Sequence, residues 1–371
     1  MPRHDSNPVS NEPIVTLRSP APPAPDRPAF LSAQILPHRG MMTLQVTAHL
    51  PSQGEFDLLA PSTQEALEVL HAPPGDFPGN PTYLVGGGIL LPYANRIRGT
   101  VCADGKSLLT NVLGKAVHLP ANTSGRQPGA ERVAMHGLML DARMDEVRRE
   151  TTGENDRLHA LLHAGDFGGS WLSATDVEIE NVLTGESFTL TVTARNVGGE
   201  PLPMGIGWHP YFALPSGRRE QARLHLPARQ RARVNNYDDV LPTGELVPVA
   251  GTPYDFGVPG GRALGDLYLD DCFVDLVRSP DGHVAAEIVD PAGAYGLRVI
   301  STAPPVRAFQ VYAPPQKGLV VIEPQLNWAD PFGPQWGPGT DTGMVVLEPG
   351  ESAVYSARLE LFTPQAPSSG P

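Results

Sequence analysis

The chain has 371 residues, with 40 acidic and 27 basic side chains and a formal net charge of −13. That balance argues against a nucleic-acid binder, which carries a basic face, and against anionic membranes or strongly anionic substrates. Two cysteines, Cys102 and Cys272, are too few for a disulfide scaffold and form no Cys-x-x-Cys metal pair. Glycine (39) and proline (41) punctuate many short apolar runs, the pattern of a turn-rich all-β chain.

The first 28 residues hold 8 prolines, among them Pro20, Pro22, Pro23, Pro25 and Pro28. Proline removes a ladder donor and fixes φ, so residues 1–28 are expected to be a mobile tail without strand or helix. The folded domain is expected over 29–363, with 364–371 as a second loose end. The start lacks the apolar stretch of a secretory signal, and no run is long enough to span a membrane. The expectation is a cytoplasmic protein.

Ser62-Thr63-Gln64-Glu65 has the form of a capping box before Ala66, Leu67, Val69 and Leu70, though the segment also reads as a strand. Gly86-Gly87-Gly88 lacks the lysine and hydroxyl of a phosphate loop and reads as a close backbone approach. Asp176 to Glu180 alternates apolar and polar residues, and Phe188 to Arg195 does so over eight positions. Ala353 to Phe362 repeats the pattern with Tyr355, Ala357, Leu359 and Leu361 on one face. Leu319 to Ile322 is continuously apolar, as expected of a strand covered on both sides. Helical signals are scarce and no βαβ rhythm is present. The predicted fold is all-β, a large antiparallel β-sandwich.

Asp166-Phe167-Gly168 mimics a kinase magnesium motif but has no companion motifs. There is no Gly-x-Ser-x-Gly elbow and no tight histidine spacing for a metal. Three segments carry titratable groups. His209 lies among Trp208, Tyr211 and Phe212, rings that suit the C–H faces of a sugar. It reads equally as a core histidine wedged between aromatics. Glu323 ends the 319–322 apolar run, where a carboxylate must be paired, pKa-shifted or solvated. The residues alone favour a solvated strand end. Asp270 and Asp271, if in a strand, point to opposite faces, so at most one serves a pocket. A turn with solvated acids is the simpler reading.

These segments together resemble the aldose 1-epimerase (galactose mutarotase-like) family, in order from about residue 83 to 362. The matching stretches are Asn95-Arg96-Ile97, Met135-His136-Gly137, His209-Pro210-Tyr211-Phe212, Leu241 to Glu245 with Pro253 to Phe256, Asp270 to Phe273, Gln310-Val311-Tyr312, Glu323-Pro324-Gln325 with Trp328, and Leu347 to Glu351. No single tripeptide is specific; eight in order are. The resemblance implies a galactose-mutarotase sandwich, with Glu323 as general base and His209 as general acid. It implies that Asn95, Arg96, His136, Asp270 and Gln310 hold sugar hydroxyls. Trp208, Leu138 and Pro92-Tyr93 depart from the family pattern and alter the pocket wall, which bears on the sugar rather than the reaction.

The implied activity is interconversion of the α and β anomers of a hexose, with maximal rate near neutral pH. No metal, nucleotide or other cofactor is required. The expected partner is a small aldose, with no nucleic acid and no membrane, and the chain is expected to be a monomer or homodimer. Rival readings are a hexose-6-phosphate mutarotase using Arg218 and Arg219, a non-catalytic sugar-binding module of the same fold, and a glycoside hydrolase pairing Glu323 with Asp270.

Overall fold

The computed structural model describes residues 14–73, 75–302 and 306–364. Among these, two antiparallel sheets dominate. The first has nine strands and includes Thr175–Leu183, Ser187–Asn196, Tyr295–Ser301 and Ser352–Phe362. The alternation seen in the sequence is realised here: Phe188, Leu190, Val192 and Ala194 are fully buried, and the threonines between them are half-buried on the outer face.

The second sheet carries the site. Its strands are β1 (Gly88–Leu90), β2 (Gly207–His209), β3 (Tyr211–Ala213), β4 (Ala228–Val234), β5 (Pro242–Pro248), β6 (Leu269–Leu276), β7 (Ala308–Ala313) and β8 (Leu319–Gln325). They are ordered β5-β4-β6-β7-β8-β2-β1, and β3 also pairs with β8. One face of this sheet, with Trp208, Phe212, Phe273, Phe309, Val311, Val320 and Ile322, packs on the nine-stranded sheet in a single apolar core. Phe188 and Trp208 meet across it with ring centroids 6.1 Å apart. Because strand side chains alternate, residues 209, 270, 272, 310, 312, 321, 323 and 325 fall on the other face. The predicted sandwich is therefore correct, and its period of two separates core from site.

Helix α1 (Thr63–His71) resolves the ambiguity at Ser62. Glu65 N–H donates to Ser62 Oγ at 3.4 Å, and Ser62 N–H donates to Glu65 Oε2 at 2.9 Å, the reciprocal bonds of a capping box. Among the described residues no helix is long and apolar enough to cross a membrane.

One expectation is corrected. Within the stretch 1–28, Val15–Arg18 forms a strand antiparallel to Ala29–Leu36, and Leu17 is fully buried. Pro13 and Pro20 bracket this run without entering it, so its ladder donors are intact, and its place at a sheet edge demands few of them. Residues 19–28 carry no strand or helix, and residues 1–13 and 365–371 of the two expected tails lie outside the described residues.

The glycine run is the close approach anticipated from the sequence. Gly86 and Gly87 have φ of +88° and +76°. A Cβ on Gly87 would lie 1.9 Å from the Thr43 carbonyl oxygen, and one on Gly86 would lie 2.2 Å from the Tyr211 ring. Gly87 N–H donates to the His209 carbonyl at 2.6 Å, which lays this segment directly against β2.

Candidate active site

Three adjacent strands bring the central groups into one row. Gln310 of β7 sits opposite Glu323 of β8, and β2 flanks β8 on its other side. His209 Nε2 lies 3.2 Å from Glu323 Oε1, with 6% and 2% of the two residues exposed. Gln325, two residues on and therefore on the same face, donates from Nε2 to Glu323 Oε2 at 2.9 Å. The simpler reading of Glu323 as a solvated strand end does not hold: it is interior to β8 and buried.

The next row along the sheet pairs Asp270 of β6 with Tyr312 of β7. Asp270 and Asp271 are strand residues, not a solvated turn, and they serve opposite faces as alternation requires. Asp270 accepts from Gln310 Nε2 at 2.7 Å on the site side. Asp271, fully buried, accepts from Arg231 at 2.6 Å and from the Tyr237 hydroxyl at 2.8 Å. A bond series then links four residues singled out from the sequence. Arg96 Nη1 donates to Asn95 Oδ1 at 3.2 Å, Asn95 Nδ2 to Gln310 Oε1 at 3.0 Å, and Gln310 to Asp270. His136, the remaining residue of the set, packs its ring 4.7 Å from that of His209. All seven sequence-derived site residues thus converge.

Asn95 and His136 both adopt left-handed backbone, with φ of +63° and +65°. Such conformations cost of order 1–3 kcal/mol unless the surroundings impose them. Here two buried asparagines do so. Asn327 Oδ1 accepts from Ala94 N–H at 3.0 Å, and its Nδ2 donates to the Ala94 carbonyl at 2.9 Å. Asn122 treats Met135 the same way, at 2.8 and 3.1 Å. Each clamp grips the residue just before a left-handed one. His136 N–H then donates to the Asn95 carbonyl at 2.9 Å and ties the two loops together. Gly137, with φ of +83°, allows the turn, since a Cβ there would meet the Leu91 carbonyl oxygen at 2.3 Å.

The ladder around the pair is interrupted. β2 pairs with β8 at Gly207 opposite Gln325, and pairing resumes at Tyr211 of β3 opposite Val321. His209-Pro210 and Glu323-Pro324 face each other in between, and neither proline has an N–H to offer. Tyr355, from the opposite sheet, fills the break. Its hydroxyl accepts from Trp208 N–H and donates to the Pro324 carbonyl at 2.9 Å.

Burial sets the electrostatics. The Glu323 carboxyl is pushed well above the ordinary glutamate value, first by loss of water and then by the nearby Asp270 charge. His209 is lowered to about 3, by burial and then by the positive charge of Arg96. His136 is likewise held well below an ordinary imidazole, by burial, then His209 and Arg96. Asp270 is raised, mainly by burial. Burial thus favours the uncharged form of each group, carboxyl and imidazole. The Nδ1 atoms of His136 and His209 are buried without a hydrogen-bond partner among the described residues.

Sequence reasoning gave no role to Gln325, Asn122, Asn327 or Tyr83, and offered Tyr211 only as a ring suited to a sugar's C–H face. Gln325 was within reach, because a residue two places from Glu323 on a strand shares its face. Tyr211 stands edge-on to His209 at 5.1 Å and Tyr83 tilts against His136 at 5.2 Å. Of these two, Tyr83 had no local signal.

A sequence profile described as Aldose 1-epimerase matches residues 57–360. YphB of Escherichia coli K12, an uncharacterized protein, is 49% identical over 189 residues, covering 48% of this chain and 57% of that protein. The chain thus spans little more than half the length of this curated relative. A galactose mutarotase-like protein from Clostridium acetobutylicum superposes with a TM-score of 0.70 at 16% identity, over 92% of this chain and 94% of its own. A galactose 1-epimerase from Lactobacillus acidophilus superposes with a TM-score of 0.64 at 18% identity, over 96% and 100% of the two chains. At these identities the structural likeness speaks to the fold, a galactose mutarotase-like β-sandwich.

Two outcomes follow from the geometry. Asn327→Leu keeps the volume but strands the Ala94 and Trp328 backbone groups that Asn327 now serves. It should lower unfolding free energy in urea by about 2–4 kcal/mol; a loss too small to measure would mean the clamp is dispensable. Glu323 binds its proton more tightly folded than unfolded, so stability falls as pH rises from the unfolded value of 4.5 toward the raised folded one. Glu323→Gln removes that fall. Thermal melts should show the variant more stable than the parent at pH 8, with the gap closing near pH 4.

Proposed function

The chain belongs to the aldose 1-epimerase family, and on that premise we propose that it interconverts the α and β anomers of a hexose by acid–base ring opening. The observation that carries this reading is the 3.2 Å contact between the buried Glu323 carboxyl and His209 imidazole. Ring opening requires one proton to leave the C1 hydroxyl and another to reach the ring oxygen. A carboxyl and an imidazole that share a single proton can do both without net charge change.

The protonation states order the steps. The pair rests with its proton on Glu323. When a cyclic sugar binds, that proton moves to His209, leaving a carboxylate base beside the C1 hydroxyl and an imidazolium acid beside the ring oxygen. Glu323 removes the hydroxyl proton, His209 protonates the ring oxygen, and the C1–O5 bond breaks. This returns the pair to its uncharged state, the form the dry site favours. Rotation about C1–C2 presents the other carbonyl face. Closure runs the transfers backwards, and the opposite anomer leaves. Each positioned proton donor or acceptor contributes on the order of 10²–10⁴-fold, adequate for a reaction that already proceeds in water. Arg96 and Gln310, linked through Asn95, would hold hydroxyls away from the reacting centre, and His136 would lie beside His209 to do the same.

A phosphorylated hexose has less support. Arg219, half of the cationic pair that reading invoked, is buried with its guanidinium donating to the carbonyls of Gly265, Leu267 and Ala313. The hydrolase reading is also weaker, because the immediate partner of Glu323 is an imidazole.

Glu323→Gln and His209→Asn should each reduce the polarimetric rate of glucose or galactose anomerisation by at least a thousandfold in folded protein, on the order set by losing one proton carrier. Full activity in either variant would remove the assignment. The pH profile of kcat/KM gives an independent check. Activity needs one proton on the pair, and the second proton must enter an imidazole lowered to about 3. The acid limb should therefore lie well below 6.5 and the rate should stay level through neutrality, rather than peak there as the sequence alone suggested. A limb near pH 6.5 would show that His209 titrates as a solvated imidazole.

A further inference from the structure

Between His209 and Glu323 the second sheet departs from its own pattern. Gly207 lies opposite Gln325 and Tyr211 opposite Val321, so the register is the same on both sides of the break. That register sets Trp208 opposite Pro324 and His209 opposite Glu323. Just before the break, Leu326 N–H donates to the Ile206 carbonyl at 2.8 Å. Antiparallel ladders exchange their bonds at every second pair. Two residues on from Ile206 and Leu326, a continuous ladder would therefore join the Trp208 N–H to the Pro324 carbonyl. Pro324 has no N–H with which to return the bond.

These two groups are joined through a third. The Tyr355 hydroxyl accepts from the Trp208 N–H and donates to the Pro324 carbonyl at 2.9 Å. Tyr355 arrives from strand Ser352–Phe362 in the interior of the opposite sheet, where it pairs with Val192 and is fully buried. Its inward-facing neighbours on that strand, Ala353 and Ala357, are small, which leaves the space a long ring needs. A hydroxyl in an apolar core is unfavourable unless it is bonded. This one is engaged both as donor and as acceptor, which fixes its orientation. The Tyr295 hydroxyl offers a contrast. It is buried on the adjacent strand, Tyr295–Ser301, and has no partner among the described residues.

We propose that Tyr355 is a positioning residue for the acid and base: by standing in for one ladder bond, its hydroxyl sets the separation of His209 and Glu323, which directly follow Trp208 and directly precede Pro324. This rests on the reading of that pair as the proton carriers. Tyr355 belongs to the core between the sheets and acts through the two strands, not on the sugar. Without the hydroxyl, two backbone groups are left in an apolar core with no partner, and the seam must deform or admit water. Either disturbs a contact of 3.2 Å. A displacement of about 1 Å in a reacting group costs on the order of 10²-fold in rate. Asp270 and Gln310 are held on β6 and β7, away from the seam, so sugar binding should persist when the bridge is lost.

Tyr355→Phe keeps the ring and removes only the bridge. In the full chain its kcat for glucose or galactose anomerisation should fall about 10- to 100-fold, with KM changed by less than about threefold. Tyr295→Phe, which loses a buried hydroxyl that bridges nothing, should keep kcat within about twofold. A readout independent of activity is the NMR signal of isotope-labelled His209, identified as the imidazole missing from His209→Asn. It should move in Tyr355→Phe and stay in place in Tyr295→Phe. Hydrogen exchange in the parent needs no variant to fold: the Trp208 amide should exchange as slowly as the ladder amides of β8. Full kcat in Tyr355→Phe, equal losses in the two phenylalanine variants, an unmoved imidazole signal, or fast exchange at Trp208 would each overturn the bridge. A chain that accelerates no anomerisation, yet shows the imidazole move in Tyr355→Phe alone, would retain the bridge and lose the proposed function.

Discussion

A carboxyl and an imidazole held 3.2 Å apart and almost without water are the constraint on which this molecule turns. Such surroundings oppose charge on either one, raising the carboxyl and lowering the imidazole. The cost is met by the sandwich. Its core side supplies Trp208, Val320 and Ile322 immediately behind the two residues, and Gln325 gives the carboxyl a single donor rather than a solvent shell. Exclusion of water shifts both groups and makes the pair a local source of instability.

The second organising element is the period of two. A single strand, β8, sends Val320 and Ile322 into the core and Glu323 and Gln325 into the site, with Pro324 between. β6 does the same with Phe273 on one side and Asp270 on the other, and it has to satisfy Asp271 on the core side with Arg231 and Tyr237. Strands alone therefore place Glu323 and His209. Asn95, Arg96 and His136 come from the ends of two short paired strands, Arg96–Ile97 and Arg132–Met135, and two asparagine clamps extend that pairing at Ala94 and Met135.

Much of this could be read from the amino acids. The alternation at 188–195 and 353–362 foretold the nine-stranded sheet, and the Ser62–Glu65 pairing foretold a helix start. Order along the chain, through family resemblance, assembled all seven site residues. What escaped reading was long-range. Whether Glu323 is solvated depends on β7 and β2 flanking β8, a register set by residues far away in sequence. Proline density hid the Val15–Arg18 strand, because composition averages over a window and the ladder cares only about which donors are present. Asn122 and Asn327 were invisible because a side chain that imitates a strand partner leaves no periodic trace. The raised carboxyl at Glu323 followed from sequence only as one option among several, since burial is a property of the whole packing.

The break in pairing between β2 and β8 has a mechanical meaning. Over His209-Pro210 and Glu323-Pro324 the two strands share no direct backbone bond, and a tyrosine hydroxyl from the far sheet spans the space instead. An unbroken ladder would lock the imidazole and carboxyl at the spacing seen here. Here the spacing across the seam is held by that one side-chain tether rather than by the ladder.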